Sequence, residues 1–287
     1  MLAKVRALVL PQIERHGAIR TWIVDDTGIP KKGQHSVGVA HQYCGQLGKQ
    51  ANCQVAVTLS VANDFASLPI DFRLYVPKSW ADDPERSRRA GIPADVRFST
   101  KPQIALHQLR SACAADIPRG VVVADAAYGN DTEFREEITA LGLPYMMALQ
   151  GTTSVWRPGE APLPPRKRSG TRGRTPTLVR RTTRHAPISV GDLAHELPAK
   201  AYRTITWRQG TNAPLRSRFA AVRVRPAHRD TLRSAPREEE WLLIEWPKDE
   251  EQPRKFWLST APADATLSQL VTLAQSRWRI ERDYQEL

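Results

Sequence analysis

The chain has 287 residues, enough for one large domain or two modest ones, and its 41% hydrophobic content suits a protein with a packed core. No apolar run approaches the ~20 residues a bilayer span requires. The opening MLAKVRALVLPQIERHG alternates apolar and charged residues rather than forming a signal peptide, so the expectation is a cytoplasmic protein with no membrane partner. The formal net charge of +12 points to a polyanionic partner, nucleic acid being the usual one. That charge is segregated: residues 152–237 hold 19 Lys or Arg and 4 Asp or Glu, leaving 23 basic and 26 acidic residues for everything else.

Taken in order, residues 2–16 have helical spacing, with Leu2, Val5, Val9 and Ile13 near one face. Residues 21–24 read as a short buried strand running into Asp25 and Asp26, followed by turn signals in Gly-Ile-Pro and Lys-Lys-Gly. Segments 36–40, 53–61 and 70–76 are strand-like, as in an antiparallel meander. Residues 100–115 are spaced as a helix. Residues 120–124 form a continuous apolar run suited to a strand buried on both faces, ending in Asp125. A helix over 133–141 and a strand over 145–149 follow, giving an α/β pattern. After Gly151 the texture changes. Residues 156–176 are rich in proline and arginine, and 202–207, 219–224 and 241–246 read as strands. A helix spans 267–287, with Asp264 as its N-cap. The implied domains are a catalytic core over 1–151, a basic β-rich insertion over 152–255, and a final helix within 256–287 that completes the core.

Cys44, Cys53 and Cys113 form no CxxC pair, which argues against a disulfide framework. His35, His41, Cys44 and Cys53 lie close in sequence, but their spacing matches no common zinc-finger pattern. The carboxylates are more informative. Asp25 and Asp125 each follow a buried strand, a good place to present a charge. Leu267, Leu270, Ala274 and Trp278 trace one helical stripe, and Glu281 falls on it. A carboxylate on a core-facing stripe needs a partner, either a cation or a buried Arg. Three carboxylates from separate elements suit Mg²⁺ or Mn²⁺, and two such ions can drive phosphoryl transfer.

Three stretches carry a resemblance. WIVDDTGIPKKGQHSVGVAHQYCGQLGKQANCQ resembles the start of the catalytic domain in the IS701-like branch of the IS4-related DDE transposases. VVADAAYGN is similar to that family's second aspartate motif, and RWRIERDYQEL to its final motif, in which an Arg precedes the catalytic Glu by one helical turn, here Arg277 and Glu281. The resemblance implies an RNase H-like mixed sheet flanked by helices, with a β-rich insertion before the last helix. In that fold the first and fourth core strands lie side by side, so Asp25 and Asp125 would meet. It implies Asp25, Asp125 and Glu281 as catalytic metal ligands for a pair of Mg²⁺ or Mn²⁺ ions, acting on DNA ends and target in transposition, and a homodimer for the full-length protein. Asp26 is the alternative first ligand, since neighbouring strand residues face opposite ways. Lys31, Lys32, Arg277, Arg208, Arg216 and Arg218 are candidate DNA contacts, beside Trp207. Tyr128 and Asn130 would shape the second loop. The family has a longer region ahead of the first aspartate and continues past Glu281, so the chain reads as truncated at both ends. An inactive DNA-binding remnant and a structure-specific nuclease are the competing readings.

Overall fold

The computed structural model describes residues 2–166, 175–209 and 213–280. The chain divides into two compact units, one of residues 1–143 with 276–287 and one of 144–275.

The first unit opens with α1 (Leu2–Glu14), which buries Leu10 and Ile13. The buried Asn63 side chain donates to the carbonyls of Ile13 at 2.9 Å and Gly17 at 2.7 Å, fixing the end of this helix. Next come β1 (Thr21–Pro30), β2 (Ala40–Cys44), β3 (Lys49–Ala62) and β4 (Ser67–Leu74). Two short helices, α2 (Lys78–Ala81) and α3 (Pro84–Arg89), precede α4 (Lys101–Ala114). Thr100 and Gln103 close a reciprocal capping box at the start of α4. Then follow β5 (Val121–Ala124), α5 (Ala126–Gly129) and α6 (Thr132–Ala140), the last capped by Asp131.

In this unit β1 pairs antiparallel with β3 along its whole length and parallel with β5 from Thr21↔Val121 to Ile23↔Val123. β2 and β4 pair with the other edge of β3. The result is the α/β class expected, a mixed sheet flanked by helices in RNase H-like order. Gly120 permits the β1–β5 pairing: a Cβ there would lie 2.8 Å from the carbonyl carbon of Arg20 and the nitrogen of Thr21, closer than any real side chain comes to backbone. The fully buried Trp22, Val24, Val122 and Ala124 alternate with Ile23 and Val123, so both faces of these two strands are covered.

Three expectations change. β1 does not stop at Asp25 but runs to Pro30, because β3 offers it ten consecutive partners and a proline is tolerated at a strand end. Residues 36–39 are not strand; β2 begins at Ala40. Of the helix expected over 267–287, the described residues form α8 (Leu267–Gln275), a turn at 276–277 and helix again at 278–280, while 281–287 lie outside them; α8 is capped by Thr266 rather than Asp264. The Thr266 Oγ1 accepts from Gln269 N at 3.3 Å, and the Gln269 side chain accepts from Thr266 N at 2.8 Å.

The second unit contains β6 (Tyr145–Leu149), β7 (Ser154–Trp156), β8 (Ile188–Ser189), α7 (Val190–Glu196), β9 (Arg203–Gln209), β10 (Pro214–Pro226), β11 (Glu240–Glu245), β12 (Lys255–Ser259) and α8 (Leu267–Gln275). β6, β12, β11 and β10 pair antiparallel in that order, and β9 pairs with β10. Its core includes the buried Trp156, whose indole N–H donates to the buried Asp230 carboxylate at 2.6 Å; Arg181 also holds that carboxylate. Among the described residues no helix is long and apolar enough to cross a membrane.

Candidate active site

Carrying the β1–β5 register two residues past Ile23↔Val123 sets Asp25 beside Asp125 on one sheet face. Adjacent strands are about 4.8 Å apart, so the two carboxylates are neighbours. Asp25 is buried, at 8% exposure, and Asp125 is half-buried. The Asp125 Oδ1 accepts from Ala127 N at 2.9 Å, capping α5 and fixing the direction of its carboxyl group. The Asp25 Oδ1 accepts from Asp26 N at 2.9 Å.

The segment 276–280 covers this same face. Ile280 packs with Ile23 and Ala62, which share the face of Asp25 by strand alternation. Arg277 donates from Nη1 to Asp25 Oδ2 at 2.7 Å. It is the link between the third motif and the first. α8 ends at Gln275 and residues 276–277 form a turn, so the helical stripe from Leu267 to Trp278 is broken before it reaches Glu281. Glu281 lies outside the described residues.

Burial pushes the Asp25 carboxyl up to about 7. The Arg277 guanidinium opposes that rise and the Asp125 carboxylate adds to it, while the Asp26 N–H and the Asp26 carboxylate act more weakly in opposite directions. The Asp25 and Asp125 carboxylates repel each other, and among the described residues the Arg277 guanidinium is the cation that meets Asp25. The two carboxylates offer hard oxygen donors, so the donor set fits a divalent cation of the Mg²⁺ type. Among the described residues no group of three or more His, Cys, Asp or Glu is arranged to hold a metal.

Asp26 points to the opposite face, where α4 lies. Lys101 pairs with its Oδ2 at 2.7 Å, and the Tyr128 hydroxyl lies 3.5 Å from the same oxygen. Lys101 is missing from the residues that the sequence singles out, although a signal exists: a lysine at the first position of a helix opposes the helix dipole and needs a local reason. The Asp26 carboxylate supplies it. Tyr128 is fully buried against Phe134, with ring centroids 5.7 Å apart. Asn130 caps the C-terminus of α5.

Lys31 and Lys32 follow β1 directly, six and seven residues beyond Asp25, a rise of about 20 Å along the strand. Lys32 is exposed and Lys31 half-buried. In the second unit Arg208 and Arg216 are exposed on the β9–β10 hairpin. Arg218 is half-buried and donates to the carbonyls of Trp246 at 3.2 Å and Pro247 at 3.3 Å. Trp207 packs edge-on against the buried Phe219 at 5.6 Å, a core role. The zinc cluster considered for His35, His41, Cys44 and Cys53 does not assemble. By register His41 shares a face with Asn52, and Cys53 takes the other. Burial first, and Cys44 second, push the Cys53 thiol up to about 11, which disfavours a thiolate ligand.

The mixed sheet of the first unit, with β1 between antiparallel β3 and parallel β5, is of the RNase H-like class. The chain belongs to the DDE superfamily endonucleases: that family's model matches residues 1–214. Over 134 residues the chain is 31% identical to a protein of Microchaete diplosiphon described as a probable transposase for insertion sequence element IS701. The match covers 46% of this chain and 32% of that protein, so it spans about a third of the relative's length.

Proposed function

We propose that this chain carries out metal-dependent DNA strand cleavage and strand transfer in transposition, with Asp25, Asp125 and Glu281 as the metal ligands and a homodimer as the full-length assembly. The observation that carries this reading is that Asp25 and Asp125 lie just past the end of the parallel β1–β5 pairing, with Arg277 from the third motif bonded to Asp25. Similarity to the probable IS701 transposase supports the same reading. Held between the carboxylates, a pair of Mg²⁺ or Mn²⁺ ions would activate a water or 3′-hydroxyl and stabilise the leaving oxygen.

The chain's own residues supply the rest. Arg277 holds the Asp25 carboxylate in one orientation, and the Asp125 carboxylate is set by the α5 N-terminus. Ile23, Ala62 and Ile280 form a buried apolar cluster on the face of Asp25, which is itself buried. Lys101 keeps Asp26 engaged on the far face, which favours Asp25 as the ligand. The basic stretch 152–237 supplies salt-sensitive affinity for phosphates, with Arg208 and Arg216 outermost on the β9–β10 hairpin.

The test is nicking of supercoiled plasmid in Mn²⁺ by the wild type and by Asp25→Asn, Asp125→Asn and Glu281→Gln. Loss of nicking in all three variants, with DNA binding kept, is the expected result. Equal nicking by Asp125→Asn and wild type overturns the site. DNA binding with no nicking by the wild type favours a binding-only remnant, and nicking indifferent to transposon ends favours a structure-specific nuclease.

A further inference from the structure

Register sorts the side chains of the β1–β2–β3 ribbon between two faces. Directly opposed residues in an antiparallel pair point the same way, and so do alternate residues of a strand. Asp25 opposes Thr58, Thr27 opposes Ala56 and Ile29 opposes Gln54; His41 opposes Asn52 and Tyr43 opposes Gln50. The face bearing the Asp25 carboxylate therefore continues outward through Thr27, Gln54, Asn52, Tyr43 and His41. The β1–β2 connection crosses that face. The Asn52 amide donates to the carbonyls of Lys31 at 2.9 Å and Gly33 at 2.8 Å, and the Gln54 amide to Val37 at 2.6 Å. Arg86 of α3 braces the same connection through the Gln34 carbonyl at 3.0 Å.

The charge of this ribbon is one-sided. Between Asp26 and Asp64 the sequence holds Lys31, Lys32, Lys49, His35 and His41, and no Asp or Glu. The carboxylates of neighbouring α3 are engaged: Asp83 caps its own helix and Glu85 lies 3.8 Å from Arg89. Apolar surface is displayed beside the cations, with Ile29 44%, Tyr43 59% and Leu47 45% exposed. The lysines, the exposed Gln50 amide and the exposed Tyr43 phenol opposite it, with no Asp or Glu between residues 26 and 64, match a sugar–phosphate backbone.

We propose that this ribbon is a docking surface for duplex DNA flanking the cleavage point. The direction of that DNA, outward from Asp25, rests on the function proposed above; the surface itself does not. From Asp25 to Pro30 β1 rises about 17 Å, the length of about five base pairs. Lys31 and Lys32 then meet phosphates about half a helical turn from the reacting one, and Tyr43 contacts the backbone beside them.

The experiment measures anisotropy of a labelled 20-base-pair duplex with the full chain in EDTA, across a salt series. Wild type is compared with Lys31→Ala/Lys32→Ala and with Tyr43→Ala, Lys32 and Tyr43 being exposed and Lys31 half-buried; circular dichroism verifies each fold. The lysine pair should weaken binding at least ~5-fold and lower the log–log salt slope by about 2, one ion for each phosphate that is no longer neutralised. Tyr43→Ala should weaken binding ~5-fold with the slope unchanged, as a neutral side chain does. Unchanged affinity and slope in the lysine pair overturn the proposal. A change of mass in sedimentation for Tyr43→Ala with DNA affinity intact also overturns it, by marking an interface between copies of the chain. EDTA keeps the outcomes separable: the expected shifts without any wild-type nicking in Mn²⁺ would remove the catalytic reading and leave the ribbon standing.

Discussion

Replacing Arg277 by Met removes the guanidinium that faces Asp25 while keeping a side chain of similar length. The pair is 2.7 Å apart, with the Asp25 side chain 11% and the Arg277 side chain 30% exposed. Breaking a fully buried pair costs about 3–5 kcal/mol; the partly exposed Arg277 reduces this to about 2 kcal/mol. Asp25 can escape the cost by taking up a proton. Its carboxyl already stands near 7 rather than the ordinary 3.8, so the folded chain holds this proton more tightly than the unfolded one. Stability from this group is therefore full below pH 4 and falls as pH rises toward 7, by on the order of 4 kcal/mol in metal-free wild type. Without Arg277 the fall continues above pH 7. In EDTA, Arg277→Met and wild type should melt within about 2 °C of each other at pH 5.5, and about 6 °C apart at pH 8.5. A gap that is equal at both pH values, or wider at pH 5.5, would refute the account of Asp25 as a buried carboxylate neutralised by Arg277.

Three further outcomes follow from the same geometry. Gly120→Ala places a Cβ against the Arg20 and Thr21 backbone, so it should destabilise by about 2 kcal/mol in urea and weaken Mn²⁺ binding by shifting Asp125 relative to Asp25. Lys101→Met leaves the half-exposed Asp26 carboxylate without its cation, at a cost of about 1 kcal/mol measured by urea unfolding, and Lys101→Arg should restore most of it. Glu245 is buried, and that burial raises its carboxyl above the usual range, with Lys255 opposing. The folded chain thus favours its protonated form, so Glu245→Gln should be more stable than wild type at neutral pH, and a series of melts should show the advantage vanish below pH 4.

Local signals made much of this fold legible. The apolar β-branched run before Asp125 marked a strand buried on both faces, and the helical spacing over residues 100–115 marked α4. Two features were hidden because long-range partners decide them. Gly28-Ile29-Pro30 reads as a turn, yet β3 captures it as the far end of β1. The stretch from Leu267 onward holds no glycine or proline to stop a helix; it breaks at residues 276–277, where Arg277 turns to Asp25 and Ile280 enters the core beside Ile23. Lys101 stayed unseen for the same reason, since its partner Asp26 lies far off in sequence on another element.

The Arg277–Asp25 bond joins residues 252 positions apart, and the first unit is interrupted by the whole of the second. This sets an order of assembly. During synthesis the chain emerges from its N-terminus, so the sheet with both aspartates is made long before the residue that steadies one of them. Until residues 276–280 leave the ribosome, Asp25 lacks both the Arg277 guanidinium and the Ile280 side chain that packs on its face. The surroundings of Asp25 are therefore completed only after the second unit has been made.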